Sequence, residues 1–67
     1  MSVSSVSNIT ATSSISFQNA VEKGYERASK TLRGIQSMEI LSEKAVVHNG
    51  EIAEYVVDLK VIFSLEN

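Results

Sequence analysis

The last part of the chain alternates. Ala53, Tyr55, Val57, Leu59, Val61, Phe63 and Leu65 take every second position, with Glu54, Val56, Asp58, Lys60, Ile62 and Ser64 between them. Alternation of this kind marks a β-strand with one apolar face. It predicts a strand over residues 51–65 whose first face packs on a helix. The second face is mixed, neither core nor fully solvated, which predicts cover from a neighbouring subunit or a ligand.

Upstream the period changes. Phe17, Ala20, Val21, Gly24, Ala28 and Leu32 recur at spacings of three or four, with Lys23, Arg27 and Lys30 on the opposite face. That is an amphipathic helix over residues 17–32. Ser16 is a suitable N-cap, because its hydroxyl can accept from a free amide of the first turn. Gly24 lies on the apolar stripe and implies a close approach of helix to sheet. Gly34 suits a left-handed position closing the helix. Tyr25 falls off the stripe.

Two further strands complete the pattern. Residues 3–12 alternate imperfectly and read as a polar strand at a sheet edge, with a turn at 13–16. Residues 37–48 read as a second strand, in which Met38 and Ile40 share one parity and Leu41, Ala45 and Val47 the other. The switch implies a β-bulge near Ser42. Asn49-Gly50 supplies the positive φ angles of a tight hairpin turn. The expected class is therefore α+β, in the order β-α-β-β, as a single domain over residues 1–67.

Composition narrows the function. The chain has 67 residues, no cysteine, one histidine and a formal net charge of −2. A domain this short usually needs a staple, and without disulfides the remaining one is oligomerisation. Dispersed charge argues against nucleic acid, and no apolar run is long enough for a membrane span. The Ser-rich start lacks the basic and apolar regions of a signal peptide, so a cytoplasmic location is expected. His48 precedes the turn and reads as an exposed turn residue. No nucleophile–base pair and no phosphate-binding loop stands out, so the chain does not read as an enzyme.

The segments Ser16-Phe17-Gln18-Asn19-Ala20-Val21, Ala28-Ser29-Lys30-Thr31-Leu32-Arg33-Gly34-Ile35, Asn49-Gly50-Glu51-Ile52-Ala53-Glu54-Tyr55 and Leu59-Lys60-Val61-Ile62-Phe63 together resemble the dodecin family over nearly the whole chain. The resemblance implies a three-stranded antiparallel sheet partly wrapped around one helix, and a hollow homododecamer of tetrahedral symmetry. It also implies storage of a flavin (riboflavin or FMN). In flavin-binding dodecins two isoalloxazine rings stack between tryptophans of symmetry-related subunits, and a glutamine of the last strand bonds the ring edge. Here the tryptophan position falls at Ser37, or at Glu39 for another branch of the family, and the glutamine position at Val56. The chain has no tryptophan. The ligand pocket implied by the resemblance comprises Ser37, Glu39, Val56 and Ile62. Without a stacking ring or the glutamine, tight flavin binding is not expected. The alternative is a structural assembly whose flavin pocket is vestigial. Glu39, Glu43 and Asp58 on facing strands are expected either to be solvated or paired with Lys44 and Lys60 across the ladder, or, as the functional alternative, to hold a divalent cation through Glu39 and Asp58 where a symmetry axis multiplies an acid, since such ions favour oxygen ligands.

Overall fold

The computed structural model describes residues 3–65. The two ends of the expected 1–67 domain lie outside them. The elements are β1 (Ser4–Ser13), α1 (Phe17–Ala28), β2 (Ile35–His48) and β3 (Glu51–Ser64). They form one antiparallel sheet in the order β1-β3-β2. The expected β-α-β-β order and antiparallel sheet are both present. The most apolar strand, β3, is central, and the polar β1 is at an edge as its composition implies.

The start of the helix follows from two serines. Ser16 stands in an extended conformation and accepts from the Asn19 amide at 2.9 Å. Ser13, buried at the end of β1, accepts from the Ile15 amide at 2.9 Å and donates to Asn19 Oδ1 at 2.6 Å. One hydroxyl thus ties strand, turn and helix together.

The helix ends earlier than its period predicts, at Ala28 rather than residue 32. The Thr31 and Leu32 amides both turn back to the Ala28 carbonyl, at 3.1 and 2.9 Å. Leu32 keeps its place near the stripe in a turn that continues the helix only loosely. Gly34 does adopt a positive φ of 68°, but as the entry to β2 and not as the helix cap. Its carbonyl accepts from the Ser64 amide at 2.9 Å, so the left-handed residue aligns the start of β2 with the end of β3.

The bulge expected near Ser42 is found. Ile40 pairs with Leu59 and Ser42 with Asp58, leaving Leu41 as the extra residue. Two more irregularities, at Gln36 and at Ala53, were not visible in the sequence pattern. At the hairpin tip Asn49 and Gly50 have φ of 52° and 77°, as the Asn-Gly pair requires.

The helix packs on β1 and β3. Ala20, Val57 and Leu59 are fully buried between them, with Ile9, Ala11, Phe17, Val21 and Met38 packed around. Phe17 meets Tyr55 edge-on at 5.0 Å between ring centroids. Only the middle of the expected apolar face of β3 is covered, since Ala53 and Leu65 are exposed. Tyr25 is off the stripe and half exposed, as expected. No described helix is long and apolar enough to cross a membrane.

Gly24 sets how closely the helix can approach. A Cβ built there would lie 2.7 Å from Leu59 Cδ1 and 3.4 Å from Ala11 Cβ. Gly24→Val is therefore expected to cost about 1–3 kcal/mol through overpacking, read as a lower denaturant midpoint at fixed protein concentration. An unchanged midpoint would show that the contact yields freely.

Candidate functional site

Side chains alternate across the sheet, so β3 presents Tyr55, Val57, Leu59, Val61 and Phe63 to the helix and Val56, Asp58, Lys60 and Ile62 to the other face. No element of the chain covers that second, open face. The strand register arranges it in rows of three. Val6, Ile62 and Ser37 form one row; Asn8, Lys60 and Glu39 the next; then Thr10, Asp58 and Ser42; then Thr12, Val56 and Lys44.

Asp58 is the best-held group on the face. Thr10 Oγ1 and Ser42 Oγ each donate to it at 2.7 Å, one hydroxyl to each carboxylate oxygen. Hydrogen bonds to a charged acid favour its ionised form. The Ser42 and Thr10 hydroxyls hold the Asp58 carboxyl below its ordinary range; burial opposes them, and the positive charge of Lys44 adds a lesser effect in their direction. The result is a side-chain bridge across all three strands. Thr10 and Ser42 were not singled out from the sequence. Finding them requires knowing that β3 is central and that Leu41 is bulged, which together bring Ser42 opposite Asp58. A shallow pocket of about 290 Å³, bordered by Asn8, Thr10, Leu41 and Asp58, lies beside the bridge.

The expected ligand residues separate into two groups. Ser37 and Ile62 are direct cross-strand partners, and Glu39 lies in the adjacent row, where its carboxylate is 3.6 Å from Lys60 Nζ. The ion pair is substantially exposed and worth little on its own. Val56 is six positions along β3 from Ile62, about 20 Å at strand rise, and it is only 8% exposed. No single pocket within one chain is bounded by all four.

The acids proposed for a cation are likewise each engaged by the chain itself, Glu39 by Lys60 and Asp58 by two hydroxyls. Among the described residues no group of three His, Cys, Asp or Glu side chains gathers at one point. His48 is exposed at the hairpin tip.

Aromatic surface is absent from the open face. Tyr55 and Phe63 alternate onto the helix side, and Phe17 and Tyr25 belong to α1. These account for both phenylalanines and both tyrosines of the chain. An isoalloxazine ring would find no aromatic partner on this face, so the residues present do not reproduce a flavin stacking site.

Comparison with known proteins places this geometry. Residues 3–66 match the family model for dodecins. Among solved structures, the chain is similar to a dodecin from Streptomyces davaonensis, with 30% identity, TM-score 0.93, and coverage of 98% of this chain and 97% of that one. A dodecin from Streptomyces coelicolor is 30% identical with TM-score 0.92, covering 98% of this chain and 94% of that one. A calcium dodecin from Mycobacterium tuberculosis, described as calcium-chelating, shares the fold at 23% identity and TM-score 0.83, over 96% and 91% of the two chains. No curated protein sequence matches the chain.

The Asp58 bridge makes a pH-dependent contribution of known sign. A carboxyl whose folded pKa is lowered stabilises the fold above its unfolded value, and that stabilisation is lost as pH falls through the folded value. Carboxyl-carbon NMR should place the Asp58 midpoint below 3.8, its unperturbed value. In Ser42→Ala the midpoint should move upward, because the larger of the two hydroxyl contributions is gone. An unmoved midpoint would disprove the bridge.

Proposed function

The chain belongs to the dodecin family, and from that premise we propose that it forms a homododecameric shell that binds and stores a small ligand, not an enzyme. One observation carries the reading: nearly all of β2 is exposed, and the helix packs on one face of the sheet only. A sheet face that sets Val6, Val56 and Ile62 among polar side chains, with no helix packed on it, supports cover by a second subunit or a ligand.

The separation of the site residues supports a shared pocket. Ser37 and Ile62 at one end of the face and Val56 about 20 Å away can meet the same ligand only if two subunits bring opposite ends together. Glu39, beside Ser37, would then lie at the pocket mouth. The relatives' likeness supports the fold of such a shell, and the soluble cytoplasmic location expected from the sequence goes with this reading.

Flavin, riboflavin or FMN, is on this view a weak ligand. Ser37 offers no π-face and Val56 no hydrogen bond. An aromatic stack contributes about 0.5–1.5 kcal/mol beyond burial, and a ligand pair would lose it on both sides. The same observation favours the second reading, a structural assembly whose flavin pocket is vestigial. For a divalent cation, Glu39 and Asp58 remain the acids that a symmetry axis would multiply into an oxygen-donor ring. Each would exchange its present partner for the ion.

Native mass spectrometry together with riboflavin fluorescence tests the proposal. The expected result is a homododecamer that quenches riboflavin weakly. A monomer or dimer would sink the shell. Ser37→Trp should restore a stacking surface and raise riboflavin affinity by about tenfold or more. Equal affinity in the variant and the parent chain would remove Ser37 from the pocket.

A further inference from the structure

The two flanks of α1 carry opposite charge. Neighbours in a helical sequence point in different directions, while residues one turn apart share a flank. Glu22 borders the notch between α1 and the start of β2, with Val21, Tyr25 and Met38. Lys23 and Arg27, one helical turn apart, stand on the other flank, beside β1. Between that flank and β1 runs a groove of about 660 Å³. Its size lies inside the range of about 300–1,000 Å³ usual for small-molecule sites.

The groove combines two chemistries. It follows β1 from Ser7 to Thr12, about 17 Å at strand rise. Ile9, Ala11, Ala28 and Leu32 give it an aliphatic floor, and no aromatic ring and no acid lines it. Lys23 and Arg27 form a positive rim. Lys60–Glu39 is the one ion pair among the described residues, so both rim bases lack an acidic partner within the chain. Both are also exposed, which leaves their head groups free to turn over the floor. The strand on the other side, β1, is an edge of the sheet, and its outward amides add neutral donors.

We propose that this groove binds a small amphipathic anion, an aliphatic chain ending in a carboxylate or a phosphate. The chain lies on Ile9, Ala11, Ala28 and Leu32, and the head group sits between Lys23 and Arg27. A guanidinium fork matches two oxygens of either head group, and the ammonium adds a second positive charge with little geometric demand. A flat aromatic ligand finds no stacking partner here. A neutral chain of the same length leaves both bases unmatched. The groove lies on the helix side of the sheet, whereas Ser37, Val56 and Ile62 lie on the open face. The site is therefore separate from the pocket proposed above. It is built by one chain and does not depend on the oligomeric reading.

Calorimetric titration of the full chain with octanoate, octyl phosphate and octanol tests the site. At least one of the two anions should bind about tenfold more tightly than octanol, and the tighter of the two identifies the head group. K23Q/R27Q removes both charges from exposed positions, so circular dichroism should be unchanged while the preference for the anion disappears. Leu32→Ser should weaken anion and octanol alike. Saturating riboflavin should leave the anion's affinity as it was, because the two sites are on opposite faces. The proposal is overturned if neither anion binds the unmodified chain or if octanol binds as well as both. It is equally overturned if K23Q/R27Q keeps the preference, if Leu32→Ser changes nothing, or if riboflavin displaces the anion. A monomeric chain that still prefers the anion would sink the shell and leave the groove standing.

Discussion

One helix cannot cover this sheet. Twelve helical residues span about 18 Å, whereas strands of fourteen residues span about 46 Å; β2 and β3 have that length and α1 has twelve residues. Everything distinctive about the chain follows from the mismatch. The core is small because only the overlap of helix with β1 and β3 is dry. The hairpin extends into solvent, and the face away from the helix has no cover.

Where local chemistry decides, the sequence is readable. Asn49-Gly50 can adopt few other conformations than a tight turn, Ser16 has one good use before an apolar helical stripe, and the parity switch in β2 required an extra residue, which is Leu41. The end of the helix was less legible. Leu32 keeps helical spacing although the helix stops at Ala28, because period reports which side a residue faces and not which amide its carbonyl accepts. The role of Gly34 was obscured for the same reason. A positive φ was predictable, whereas its purpose, the bond to Ser64, depends on the far end of the chain.

The site was legible in part. Resemblance singled out Ser37, Glu39, Val56 and Ile62, and alternation predicts correctly that the β3 pair shares a face. The clasp of Thr10 and Ser42 on Asp58 depends on β3 being the central strand and on Leu41 being bulged. No composition or spacing encodes those directly. The polar bridge at the centre of the open face separates Val6 and Ile62 at one end from Val56, flanked by Thr12 and Lys44, at the other.

The strand order also has a kinetic consequence. β2 and β3 are joined by a two-residue turn, so their pairing closes a short loop and can zip on the microsecond scale. β1 must find β3 across the helix and all of β2, with Ser4 opposite Ser64, which delays it through loop-closure entropy. Until β1 arrives, the most apolar strand of the chain has one edge unpaired. The hydroxyl-rich strand is thus a cap that is placed last, and its polarity keeps the finished edge soluble once it is there.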